Sequence, residues 1–180
     1  VAGMNGTKYE LTDEKLEIAG RAVYRIKSLI EFAEIKAGEL GGFVESEENL
    51  SQIGHSWIAE NAIVYGNALV RDDAYISGEA QVYGNAEVYN SAQVIDKAKV
   101  HGKAHIYEEA HLSGEIIVYG GAWVFGNAKV GGKCWIYGTS WVYGDAQVGE
   151  NAEVCGASRV SGKAVIGVGM FVYGDQTVTE

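Results

Sequence analysis

From Ile58 to Val178 every sixth residue is Val, Ile or Leu, 21 positions in succession without an exception. Two residues before each aliphatic stands a small side chain, as at Ala62, Ala68, Ala74, Ala80, Ala86, Ala92, Ala98, Ala104 and Ala110. Ser56, Cys134, Ser140 and Ser158 keep that position small, while Ile116, Met170 and Gln176 break it. A period of six is not helical. It describes a strand of about three residues followed by a corner, because side chains alternate across a strand. The small residue and the aliphatic therefore point inward, and the residues flanking the aliphatic point outward. Two places after the aliphatic the chain must turn. There it carries glycine, for example Gly66, Gly84, Gly102 and Gly120, or Asp72, Asn90 and Asp96. These residue types tolerate the positive φ of a tight corner. Glu60, Glu108, Glu150 and Val168 depart from the pattern, and local strain or a different turn is expected at each.

Three strands and three corners close a triangular coil of eighteen residues, so the 21 hexads make seven coils. Stacked at ~4.8 Å they form a rod of roughly 30 Å. Alternating aliphatic and alanine layers fill its interior and leave no room for a ligand. The chain contains no proline, which suits a backbone that is mostly ladder. The segments VYGNAEV (82–88) and VGENAEV (148–154) resemble the hexapeptide-repeat superfamily. That resemblance covers residues 56–180 and implies an all-β, left-handed parallel β-helix; the hand comes from the resemblance alone.

No hexad register fits residues 1–55, which are read as an N-terminal cap over the first coil edge of the 56–180 helix. KYELT (8–12) reads as a strand. In EIAGRAVYRIKSLIEF (17–32) the alternation of Ala22, Tyr24 and Ile26 favours strands, while Leu29, Ile30 and Phe32 suit a strand or a short helix. AGELGG (37–42) reads as a turn cluster. The stretch IKAGELGGFVESEENLSQIGHSWI (35–58) resembles the lead-in of a little-characterised branch of the same superfamily, found in phages and enteric bacteria and labelled transferase. At the other end YGDQTVTE (173–180) keeps the register to the last residue. Such an edge either pairs end to end with another chain or is kept soluble by Asp175, Thr177, Thr179 and Glu180. Met4 is read as the natural start.

The eighteen-residue step assigns the outer residues to three faces. After the aliphatic, face one carries Tyr65, Tyr83, His101, Tyr119, Tyr137, Cys155 and Tyr173. Face two carries Arg71, Tyr89, Tyr107, Phe125, Tyr143, Ser161 and Thr179. Face three carries Ala59, Ser77, Ile95, Ser113, Gly131, Gly149 and Gly167. Tyrosines therefore form ladders on two faces only. The four tryptophans, Trp57, Trp123, Trp135 and Trp141, occupy the outer position before the aliphatic. Around the corner between faces one and two, Tyr119, Trp123, Phe125, Trp135, Tyr137, Trp141 and Tyr143 come together as a candidate ligand or subunit surface, because contiguous exposed aromatics mark contacts. Stacking between neighbouring rungs would also explain scattered tyrosines. Resemblance to the superfamily implies homo-oligomers, with trimers favoured.

The net charge of −10 disfavours nucleic acid as a partner. No apolar run is long enough to span a membrane or to serve as a secretory signal, and two cysteines make no disulfide framework. A cytoplasmic protein is expected. His101, His105 and His111 lie on three different faces, so no metal site is expected within one chain. The acidic corner pairs Asp72-Asp73 and Glu108-Glu109 read as a solvated edge rather than a Ca²⁺ site. Acyltransferases of the superfamily use a histidine as general base on the acceptor; here His105 is the candidate, with Glu87 one rung away to orient its ring and Tyr107 and Trp123 as walls. Acetyl-CoA or a similar coenzyme would be implied only by that reading. No loop interrupts the repeat to build such a site. The favoured expectation is a non-catalytic scaffold or binding module in a phage or prophage setting, with no cofactor. Its partner would be a protein or a small molecule, and capture of a small host molecule between subunits is a variant of this reading.

Overall fold

The computed structural model describes residues 7–180; Met4 lies outside them. The hexads form a three-sided parallel β-helix. Each contributes a two-residue strand, and strands eighteen residues apart pair in parallel: Val82 with Val100, Val88 with Ile106, Val94 with Leu112. Face one begins its solenoid part at Ile63–Val64, face two at Leu69–Val70 and face three at Trp57–Ile58.

The aliphatics line the axis as the period requires. Val82, Val88 and Val94 are each 0% exposed, as are the alanines two places before them. Ile116, which breaks the small-residue rule, is buried as well. The polar exceptions are satisfied locally. Ser140 Oγ donates to Tyr137 O at 2.7 Å, and Ser158 Oγ donates to Cys155 O at 2.8 Å. Each bond closes the corner three residues back, so an interior hydroxyl does not go unpaired.

The corners turn through left-handed residues. Gly102 has φ 67°, and a Cβ built on it would lie 2.7 Å from Gly120 N in the next coil. Two constraints therefore demand glycine there, backbone conformation and coil spacing. Glu60, Glu108 and Glu150 adopt the same conformation at φ 57°, 56° and 45°. The strain expected at these sites is offset at two of them by the side chain. Glu60 Oε2 accepts from Gly78 N at 3.0 Å, and Glu108 Oε2 accepts from Gly126 N at 2.7 Å, each one coil on. Asp72 and Asp96 make the same bond to Asn90 N and Gly114 N. At Val168 the turn differs, and the left-handed residue is Gly169.

The cap is built from β1 (Tyr9–Ile18), β2 (Arg21–Ser28) and β3 (Leu40–Val44), antiparallel in that order. β3 then pairs in parallel with Ile63–Val64, and Leu50 bridges Val70 in the same sense. Cap residues thus wind an incomplete coil ahead of the repeat. Its step to the next rung is twenty residues (Phe43 to Ile63, Leu50 to Val70), which a six-residue count does not detect. Two expectations are corrected here. Leu29 to Phe32 form neither strand nor helix but lead into a tight turn, with Phe32 bridging Ile35 and Ala33 at φ 47°. The glycines of AGELGG are not all in a turn: Gly41 and Gly42 lie within β3. A Cβ on Gly41 would sit 2.5 Å from Ile58 O, and one on Gly42 would sit 2.4 Å from Ala62 O. Glycine lets the cap strand lie directly on the first coil.

Candidate functional site

The outer side chains form columns whose spacing is set by the backbone rungs. On face one Tyr65, Tyr83, His101, Tyr119 and Tyr137 stack with centroids 4.7–5.1 Å apart and planes within 8° of parallel. This is the rung spacing of a sheet, so in-register pairing aligns each ring over the next. His101 is held between two phenol rings, and burial, then Lys99, lowers its pKa below the ordinary imidazole value. At the lower end the cap covers the stack: Tyr65 packs with Val23 of β2 and Phe43 of β3.

Face two carries two columns side by side. Tyr89, Tyr107, Phe125 and Tyr143 stack at 4.8–5.0 Å. Beside them Trp123 and Trp141 stack at 5.1 Å, with His105 tilted against Trp123 at 5.5 Å. Edge-on contacts join the columns, Tyr107 to Trp123 and Phe125 to Trp141. A guanidinium closes each end: Arg71 lies 4.0 Å above the Tyr89 ring and Arg159 lies 4.1 Å above Trp141. Burial pushes the Tyr107 hydroxyl up to about 12, helped by Tyr89 and Glu108.

The seven aromatics singled out from the sequence fall into two groups. Trp123, Phe125, Trp141 and Tyr143 belong to the double column of face two. Tyr119 and Tyr137 belong to the stack of face one, with Trp135 in the parallel outer row. Among the described residues no ring pair crosses the Gly120-Gly121 corner between them. Trp135 is 49% exposed and enters no ring pair; its lateral neighbours are Ile117 and Glu153. Tyr137 donates a short hydrogen bond to Glu153, which raises its own pKa. Trp57, expected to point outward, stands on the outer side of face three but is only 1% exposed. The cap lies over it, with Phe32 and Tyr9 edge-on at 5.5 and 6.5 Å.

His105 and Glu87 are register partners on face two, and Nδ1 lies 3.7 Å from Glu87 Oε2. The same carboxylate oxygen is 3.7 Å from Arg71 Nη2, so Glu87 is shared between a histidine and an arginine. Sequence reading placed Arg71 on this face but did not find that role. The three solenoid histidines lie on three sheets, and among the described residues no cluster of three His, Cys, Asp or Glu could hold a metal. Cys134 is buried, donates to Gly131 O at 3.2 Å, and burial pushes its thiol up to about 12.

Two concavities were not anticipated. A trough of about 390 Å³ runs along face three, floored by Gly131, Gly149 and Gly167 and flanked by His111 and Lys129; the run of small residues was its signal. A cavity of about 340 Å³ lies where the cap meets the first coils, lined by Ala33, Glu34, Ile35, His55, Trp57, Asp73 and Tyr75. Nothing in the hexad pattern announces it, because half of its wall is cap. No protein-family model matches the chain, and no curated protein matches it.

Proposed function

We propose that this protein is a non-catalytic β-helical binding scaffold whose contacts are made by the aromatic columns, with face two as the principal surface. The observation that carries this reading is the double column of face two, in which Trp123 and Trp141 stand beside Tyr107, Phe125 and Tyr143 with arginine at both ends. Trp, Tyr and Arg are the residues that dominate contact energies between proteins. A rigid backbone holds them at fixed spacing, so little side-chain entropy is lost when a partner docks. Resemblance to the hexapeptide-repeat superfamily favours rods packed side by side as trimers, and the lead-in at 35–58 favours a phage or prophage gene acting in the cytoplasm. Capture of a small host molecule between subunits is a variant of the same reading. No helix of the described residues is long and apolar enough to cross a membrane. Solution mass by sedimentation tests the assembly: Tyr137→Ser combined with Trp141→Ser should reduce it to a monomer, and an unchanged mass would refute the interface.

A second reading has one specific observation behind it, the 3.7 Å approach of Glu87 to His105. In a CoA-dependent acyltransferase His105 would take the acceptor's proton while Glu87 fixed its tautomer. Calorimetry with acetyl-CoA, using His105→Ala as control, separates the two. Heat that disappears in the variant supports the enzyme; the scaffold reading requires none.

A further inference from the structure

We propose that the cavity at the junction of cap and coil is a receptor for a planar cation, a guanidinium group. The first reason is a missing stack. Elsewhere in the solenoid, Phe, Tyr and Trp rings at equivalent outer positions on adjacent rungs lie face to face at 4.8–5.1 Å, as Trp123 does on Trp141 and Tyr83 on Tyr65. Trp57 and Tyr75 are register partners of the same kind, yet no ring contact joins them. Both instead line the 340 Å³ cavity. Trp57 is fixed by Phe32 and Tyr9 on the cap side, while Tyr75 is 36% exposed at the mouth.

The second reason is charge. Glu34 and Asp73 line the cavity, and the Tyr75 hydroxyl is pushed up by burial and then by Glu60, Glu39 and Glu34. Among the described residues Glu34 has no ion-pair partner. Asp73 meets only His55 Nδ1, at 3.4 Å. Lys8 feels the charge of Asp73, but its ammonium is bonded to Ser56 O at 2.8 Å and to Ser56 Oγ. Tyr75 offers an accessible ring and Trp57, 1% exposed, closes the inner wall. One open ring with carboxylates at the rim is what a guanidinium takes, stacking through its face and bonding through its edge. The protein supplies its own example: Arg71 lies on the Tyr89 ring and bonds Asp72 at 3.1 Å.

The third reason is construction. The roof of the cavity is the Ala33-Glu34 turn, held by reciprocal backbone bonds between Phe32 and Ile35 at 3.0 and 2.8 Å. It places Ala33, a residue with a Cβ, at φ 47°. Such a conformation is costly unless its surroundings enforce it, and its result is to hang Glu34 over the rungs that carry Trp57 and Tyr75.

The test uses the full chain, titrated with agmatine, with butylamine as a cation of similar reach but without the planar fork, and with a Gly-Arg-Gly peptide. Calorimetry and ligand-observed NMR read the binding. Saturable one-to-one binding of agmatine or of the peptide is expected, with butylamine at least about tenfold weaker. Asp73→Asn and Tyr75→Ser should each weaken binding by about tenfold or more. Both positions lie at the surface, and an unchanged melting curve confirms that the variants are folded. If agmatine binds as well as the peptide, the ligand is a free guanidine; if only the peptide binds, it is an arginine side chain. Absence of saturable binding by either, equal binding of butylamine, or indifference to both substitutions would overturn the proposal.

Discussion

Trp123 and Trp141 sit one rung apart on face two with ring centroids 5.1 Å apart and planes 5° from parallel. Trp141 also meets Phe125 and Tyr143 edge-on and carries Arg159 on its face. Aromatic pairs are worth about 0.5–1.5 kcal/mol beyond their buried area, and a cation on a ring about 0.5–1 kcal/mol at exposed sites. Trp141→Ser should therefore cost about 2–3 kcal/mol in urea unfolding. Trp135→Ser, at a residue with no ring partner, should cost about 0.5 kcal/mol or less. Equal losses at the two positions would mean that stacking does not stabilise this surface. A double-mutant cycle on Trp123 and Trp141 should return a coupling of about 1 kcal/mol.

The corners give a contrast between two opposite substitutions. Gly102→Ala puts a Cβ in a left-handed residue 2.7 Å from Gly120 N, and the next coil must shift to admit it. A loss of about 2 kcal/mol or more is expected. Glu108→Gly relieves the strain at φ 56° but deletes the bond from Glu108 to Gly126 N. These terms are each about 1 kcal/mol and opposed, so the net change should lie within about 0.5 kcal/mol of zero. Thermal unfolding of both variants decides the point.

The solenoid was legible because its constraint is periodic. A coil interior that takes a small residue and a Val, Ile or Leu at fixed spacing writes itself into the sequence once per hexad, and Val82, Val88 and Val94 lie where that rule puts them. The two tyrosine ladders follow from the same count. The cap obeys no period. Its first coil steps by twenty residues, and its glycines at Gly41 and Gly42 answer to the carbonyls of Ile58 and Ala62, partners far away in sequence. Trp57 shows the consequence, since an outer position in the repeat becomes an interior one only when Phe32 and Tyr9 arrive from the cap. The arginines over Tyr89 and Trp141 were equally out of reach, because long side chains choose among several neighbours and the repeat fixes only where they start.

Cys134 occupies the inner position that Ser140 and Ser158 fill elsewhere, and all three donate to the carbonyl three residues back. Cys134→Ser should then change stability by less than about 1 kcal/mol. Cys134→Leu overfills the prism and should cost about 1–3 kcal/mol. With its thiol pushed up to about 12 by burial, Cys134 should react with a maleimide only at the rate of unfolding in a Cys155→Ser background that removes the second free thiol; labelling of Cys134 within minutes would show that the interior is open.

Lys8 links the cap to pH. Its side chain is 1% exposed, bonded to Ser56, and burial lowers its pKa from the ordinary 10.5 to about 8, with Asp73 opposing the shift. The folded chain therefore releases this proton at lower pH than the unfolded chain. Below pH 8 both states hold it, and the buried charge is a constant cost. Between about 8 and 10.5 the unfolded chain holds a proton that the native chain has lost, so the Lys8 contribution to stability rises with pH, by on the order of 3 kcal/mol in full. The rise is cut short from about pH 9, where Cys134, its thiol pushed up by burial, begins to favour the unfolded state, and it gives way to a fall from about pH 10, where Tyr9, whose pKa burial also raises, joins it. The urea midpoint should thus climb from about pH 8 to near 9, level off, and fall beyond about 10. Lys8→Met should remove the climb and leave the fall. A midpoint that declines steadily from pH 8 in the unmodified chain would show that Lys8 is not held as a buried cation.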